Sequence, residues 1–164
     1  MEKEKTICFT GHRPDNLPWR NYECGEQFNE FRENLRHVIL KNIKEGYTFF
    51  ISGMAMGFDM IAASVVLELK ELYDIKLIAV LPHKNHGKNW NVKEKLKHSN
   101  ILNRADEVIC LSENYTKYCF HVRNKYMVDN SSKVIACYNF VKGGTLNTIN
   151  YASKLGKEIE YVSF

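Results

Sequence analysis

Thr48-Phe49-Phe50-Ile51-Ser52-Gly53-Met54-Ala55-Met56-Gly57-Phe58-Asp59 decides the fold. A short apolar run, Thr48–Ser52, breaks at Gly53 and Gly57 into an amphipathic stretch. That stretch runs from about Phe58 to Tyr73, with Ile61, Val65 and Leu69 along one face. Strand, tight glycine turn and helix make the first half of a βαβ unit. Ser52, Gly53, Met54 and Gly57 lie at the mouth of the helix. First-turn amides without partners, together with the helix dipole, make such a mouth a phosphate cradle. Asp59 either caps the helix or touches a ligand, and the residues leave both open. The pattern is neither a P-loop nor a GxGxxG fingerprint.

The alternation continues in both directions. Thr6–Thr10 is a first strand, followed by a loop with two prolines from Gly11 to Trp19. From about Glu23 to Glu45, Phe28, Phe31, Leu35, Val38, Ile39 and Ile43 recur at helical spacing, and Gly46 is a helix stop. Lys76–Leu81 is continuously apolar, as suits a central parallel strand covered on both sides, and Pro82 ends it. The polar segment His83–Lys97 leaves a helix open over its C-terminal part. Glu107–Leu111, Lys133–Tyr138 and Ile159–Val162 complete the strands. Lys117–Asn130 is a helix between the first two of these, and Gly143-Gly144-Thr145 opens a last helix to about Leu155. This order predicts an α/β fold over 1–164 as one domain: Rossmann-like and doubly wound, with a mainly parallel sheet and helices on both faces.

With 164 residues, 45% apolar and 26% charged, the chain has an ordinary globular composition and length enough for a core. Its longest apolar runs fall far short of the ~20 residues that span a bilayer, which argues against a membrane partner. The start, Met1-Glu2-Lys3-Glu4-Lys5, has no signal-peptide character, so a cytoplasmic location is expected. Cys8, Cys24, Cys110, Cys119 and Cys137 form no CxxC pair, and Cys8, Cys110 and Cys137 fall in strands expected to be buried. Neither a disulfide framework nor a thiolate zinc site is expected. His83 and His86 lack companion ligands for a metal, and no cofactor is expected. A net charge of +4, spread along the chain, suits a phosphorylated small molecule and argues against nucleic acid.

Ligands of open α/β sheets bind beyond the carboxyl ends of the strands. Gly11, His12 and Arg13 follow the first strand, and Gly143, Gly144, Thr145 and Thr148 follow the fifth as a second helix mouth with hydroxyls. Arginine grips phosphate with a planar fork of donors. Arg123 and Asn124, on the fourth helix, either project over the site or face solvent. Pro82 and Trp90 bracket the segment after the third strand, where Trp90 either stacks on a base or anchors the loop.

Ser52–Asp59 resembles the SGxAxGxD segment of the DNA-processing protein DprA. Arg123-Asn124-Lys125-Tyr126-Met127, the strand after it and Gly143-Gly144-Thr145 resemble the RKxxM…PGGxGTxxE region of the LOG phosphoribohydrolases. Gly11-His12-Arg13-Pro14, Ile51-Ser52-Gly53, the Pro82 to Trp90 segment and Gly143-Gly144-Thr145 together most resemble the small stand-alone YpsA-like members of the SLOG superfamily. The resemblance covers nearly the whole chain. It implies a nucleotide-derivative ligand, such as a nucleoside monophosphate or an ADP-ribose-like molecule, and a homodimer paired through helices.

The departures bear on chemistry. The LOG hydrolases place a glutamate on the helix after GGxGT to serve N-glycosidic cleavage. Leu146-Asn147-Thr148-Ile149-Asn150 holds no carboxylate there, and Asn124 stands in place of the lysine of the RK pair. An oxocarbenium-like state calls for a nearby carboxylate. Binding or sensing of the nucleotide is therefore the leading expectation. Arg123, Asp59 and Asp129 are the candidates for catalysis if the chain is a hydrolase or transferase, and DprA-like single-strand binding is the remaining reading.

Overall fold

Strands with apolar residues on both faces need helices on both sides, and the computed structural model, which describes residues 1–164, has them. In chain order the elements are β1 (Thr6–Gly11), α1 (Glu26–Lys44), β2 (Phe49–Ser52), α2 (Phe58–Leu69), β3 (Lys76–Leu81), α3 (Val92–Arg104), β4 (Glu107–Cys110), α4 (Cys119–Asp129), β5 (Lys133–Cys137), α5 (Gly144–Lys154) and β6 (Glu158–Tyr161). The sheet order is β4-β3-β2-β1-β5-β6, with every neighbouring pair parallel. The chain winds outward from β1 to the β4 edge, then crosses back to build β5 and β6 on the other side. This is the Rossmann-like doubly wound fold. Its reversal falls between β1 and β5, where the strand ends diverge into a crevice.

Register explains how the two cores separate. Cys8 pairs with Ile51 and Val134, and Ile51 with Ile78. That row faces α4 and α5, where Met127, Val128, Ile149 and Ala152 cover it. Ile7 and Phe9, one residue to either side on β1, face α1 and α2 among Phe31, Leu35, Phe50 and Phe58. No helix is long and apolar enough to cross a membrane.

Caps moved several boundaries. α1 begins at Glu26 rather than Glu23, because Gly25 at φ +91° takes the N-cap position. α3 fills the segment left open in the sequence, capped by Asn91, whose side chain accepts the Glu94 amide at 3.0 Å. α2 stops at Leu69 rather than Tyr73, and α4 is shorter than expected at both ends. Cys8 and Cys137 are buried as expected, but Cys110 is exposed, because β4 is an edge strand.

At the amino ends of the strands, Lys133 is buried beneath Glu158 and Glu160, its Nζ 2.8 and 2.9 Å from their carboxylates. Glu160 also accepts from Lys41 Nζ at 2.5 Å and Asn42 Nδ2 at 3.0 Å, tying the β6 edge to α1. Burial alone would raise the Glu160 carboxyl, but hydrogen bonds from Lys41, Asn42 and Lys133 outweigh it and hold it at about 2. Its folded value lies below the ordinary 4.5. Its contribution to stability is therefore full above about pH 4.5 and is lost as pH falls toward 2. Glu160→Gln should lower the melting temperature by several degrees at neutral pH, and the gap to the parent should close between those two values. Thermal melts across that window check this; a gap that does not change with pH would show that the charge is not what holds the edge.

Candidate functional site

The turn after β2 is built for close approach. Gly57 sits at φ +88°, and a Cβ there would lie 2.6 Å from the His12 carbonyl oxygen. A Cβ on Gly11 would lie 2.4 Å from the Phe58 ring, and the Phe58 amide donates to the His12 carbonyl at 3.1 Å. The exit of β1 is thus pressed onto the start of α2. Two amides of the turn are engaged inside it. Met54 N–H donates to Ser52 Oγ at 3.2 Å, and Ala55 N–H to Asp59 Oδ2 at 3.4 Å. Ser52 Oγ in turn donates to the Asp59 carbonyl at 2.9 Å. Ser52 and Met54 are fully buried, with Met54 at φ +57°. The phosphate cradle expected over Ser52–Gly57 is therefore partly filled from within, while the Gly53, Met56 and Gly57 amides have no acceptor in the chain. The carboxylate of Asp59 already occupies the electropositive start of α2.

The second glycine turn is open. No intrachain acceptor engages the amides of Gly144, Thr145 and Leu146, and Gly143 supplies no side-chain cap. A Cβ on Gly143 or Gly144 would meet nothing within 4 Å, so packing does not require glycine at either. Thr148, expected at the ligand, is instead buried and braces the turn, its Oγ1 donating to the Gly144 carbonyl at 2.9 Å.

Between these turns, at the β1/β5 reversal, lies a cleft of about 350 Å³. It brings together Gly11, His12 and Arg13 after β1, Asp59 at the start of α2, Arg123 and Asn124 on α4, and Gly143, Gly144 and Thr145 at α5. Eight lining residues lie outside the set expected from the sequence: Thr10, Asp15, Asn16, Ala55, Phe120, Met127, Val141 and Lys142. The most informative is Phe120, whose ring lies 5.3 Å from the Arg13 guanidinium carbon and 5.8 Å from that of Arg123. Its one signal in sequence is an aromatic one helical turn before Arg123.

Arg123 is only 4% exposed. It donates from Nη1 to the Gly53 carbonyl and from Nε to Asn124 Oδ1. A Cβ on Gly53 would lie 2.8 Å from both Arg123 Nη1 and Asp59 Oδ2, so Gly53 is the space in which these charges approach. Burial raises the Asp59 carboxyl, while the charges of Arg123 and Arg13 pull it down. His12 is buried and accepts the Asn139 amide on Nε2 at 3.0 Å, which places its proton on Nδ1. Burial lowers its pKa, so the ring lines the cleft as a neutral group.

Eight expected residues do not line this cleft: Ser52, Gly53, Met54, Gly57 and Thr148, which lie within the turns and α5, and Asp129, Pro82 and Trp90. Asp129 is exposed at the far end of α4, where it accepts the Tyr151 hydroxyl at 2.8 Å. Pro82 is buried under the loop and lines neither this cleft nor its neighbour. Trp90 lines an adjoining cleft.

Two glycine substitutions separate packing from site. Gly53→Ala should destabilise the protein by about 1–3 kcal/mol, since neither backbone-anchored Arg123 nor buried Asp59 can move freely. Gly144→Ala should stay within about 0.5 kcal/mol of the parent. Urea denaturation checks both, and equal costs would refute the assignment of Gly53 as a spacer.

The model of the YspA SLOG family matches residues 7–163. The chain is similar to the SPbeta prophage-derived protein YoqJ of Bacillus subtilis, 35% identical over 139 residues, 76% of this chain and 81% of that one. A UPF0398 protein of Macrococcus caseolyticus is 28% identical over 137 residues, 82% of this chain and 74% of that one. DprA of Streptococcus pneumoniae shares the fold at a TM-score of 0.63 and 20% identity. So does DprA of Helicobacter pylori, in a structure concerned with its single-stranded DNA binding mode, at 0.65 and 19%. Each likeness covers 95% of this chain, but only 49% of the pneumococcal protein and 64% of the Helicobacter one. The chain belongs to the YspA SLOG family.

Proposed function

We propose that the cleft binds a phosphorylated nucleotide derivative, with a phosphate at the start of α5. One observation carries this reading: an open helix start faces Arg13 and Arg123 across a cleft at the topological reversal of the sheet. The Gly144, Thr145 and Leu146 amides supply donors aligned with the helix dipole, and the missing side chains at Gly143 and Gly144 let an anion come close. Lys142 adds charge beside the helix start, and the Arg13 fork adds it from across the cleft. Family membership and the DprA-like fold support a nucleotide or nucleic-acid ligand. The cleft is sized for a small molecule.

Thermal-shift measurements with nucleoside 5′-monophosphates and ribose 5-phosphate test this. A ligand at 100 times its Kd adds ~2.7 kcal/mol, a rise of roughly 5–10 °C for a chain of this size. Gly144→Asp should abolish the shift by placing a carboxylate at the helix start, whereas Gly144→Ala, which adds bulk but no charge, should only reduce it. Absence of a shift with every one of these phosphates would overturn the reading. DprA-like binding of a single strand would instead lose affinity steeply as salt rises.

Asp59 supports a second reading, hydrolysis of an N-glycosidic bond. It is a buried carboxyl on the wall of the cleft, held toward its protonated form by desolvation. Such an acid donates its proton to the leaving base as the C1′–N bond breaks; water adds hydroxide to C1′ and returns its own proton to Asp59. Asp59→Asn should then retain nucleotide binding and lose base release. Release that survives the substitution would exclude this role.

A further inference from the structure

A second cleft, of about 460 Å³, opens beside the first and meets it only at Arg13 and Phe120. Its other walls include His83, His86, Trp90 and Tyr115. These rings pack edge to face. His83 lies 5.7 Å from Tyr115 at 86°, and His86 lies 5.0 Å from Trp90 at 76°. Phe120 joins the array 6.2 Å from His83 and 6.3 Å from Tyr115. A free phosphate has no use for such a chamber, whereas a planar ring extends it by the same geometry.

The walls also define the charge of the ring. No acidic residue lines this cleft, and its charged members are Arg13 and Lys88. His86 sits with Nε2 3.1 Å from the Met54 carbonyl, and burial with the nearby Arg123 charge holds its pKa at about 3. It is therefore neutral at any physiological pH. His83, also buried, has an Nδ1 with no partner in the chain. The chamber suits a neutral, polar-edged heterocycle and disfavours a cationic one.

We infer that the second cleft is a nucleobase subsite: the base lies among His83, Trp90 and Tyr115, and the ligand passes Arg13 to reach the phosphate wall. This rests on the phosphate reading above and specifies its ligand as a two-part molecule with its anionic portion at the junction. It also resolves the two roles left open for Trp90, which packs partly against the core and lines the chamber as well. Gly87, at φ +82°, folds the loop onto that indole, since a Cβ there would lie 3.1 Å from the ring.

Trp19 and Trp90 are the two tryptophans, so Trp19→Phe leaves Trp90 as sole reporter. In that background the four common nucleoside 5′-monophosphates and ribose 5-phosphate are titrated separately. At least one nucleotide should quench Trp90 and bind about tenfold or more tighter than ribose 5-phosphate, the range expected for one stacked base. Ribose 5-phosphate should bind without quenching. Tyr115→Ala, at a residue 63% exposed and not needed for folding, should remove most of the nucleotide's advantage and leave ribose 5-phosphate affinity unchanged. Equal affinity for the two kinds of probe, or indifference of the nucleotide to Tyr115→Ala, would overturn the subsite. Ribose 5-phosphate binding that Gly144→Asp abolishes would leave the phosphate reading standing in that case. Failure of both probes to bind would overturn both.

Discussion

The contact on which the site depends is the one between the exit of β1 and the start of α2. Gly11 lies against Phe58 and Gly57 against the His12 carbonyl, at separations that leave no room for a methyl group. Because the two segments touch, Arg13 emerges beside Asp59 and reaches the Phe120 ring on α4. α2 itself packs against α1, α3 and the sheet and is buried nearly all round, with Met60, Ala62, Ala63, Val65 and Val66 fully enclosed. That burial is also the largest influence on Asp59, whose carboxyl it pushes upward. The steric contact thus fixes where the charges stand, and the burial of α2 bears on the acidity of Asp59.

Two glycine turns that look alike in sequence behave differently in space. The Ser52–Gly57 turn spends the Met54 amide on Ser52 Oγ and the Ala55 amide on Asp59, while the Gly143–Thr145 turn spends none on its own chain. The difference comes from Asp59, an acid within the first turn of α2; the first turn of α5 holds no acidic residue. An acid so placed satisfies the helix start from within, and its absence leaves the dipole available to an external anion. The lack of a carboxylate on α5, a departure from the hydrolase pattern, leaves that helix start uncompensated and so favours the phosphate proposed there.

The strands were legible because each is a short apolar run closed by glycine, proline or a polar cluster, and all six fall where the sequence puts them. What periodicity could not supply was order. Cys110 sits in a run as apolar as its neighbours, yet β4 lies at the edge and exposes it. Site residues that directly follow β1 and β5 were legible for the topological reason that ligands gather there. Asp129 was not, because six positions beyond Arg123 carry it about 9 Å along the helix axis, to the opposite end of α4. Phe120 escaped notice because its importance lies in the two guanidinium groups around it, one of them more than a hundred residues away in the chain.

In the phosphate reading proposed above, Asp59 and the ligand are coupled through charge. A carboxylate on the wall of an anion site would repel the anion, and burial already favours its neutral form. A phosphate bound across from it disfavours the ionised form further, so protonation of Asp59 and anion binding assist each other. Arg123 works in the opposite sense, since its charge stabilises the ionised carboxylate and the bound anion alike. With Arg123 anchored to the Gly53 carbonyl and Asn124, its guanidinium cannot turn away from either. In that reading Asp59 is the group that burial pushes toward protonation, and the anchored arginine is the fixed charge. That division serves a binding site that must admit an anion, and it equally serves an acid that must hold a proton until a base departs.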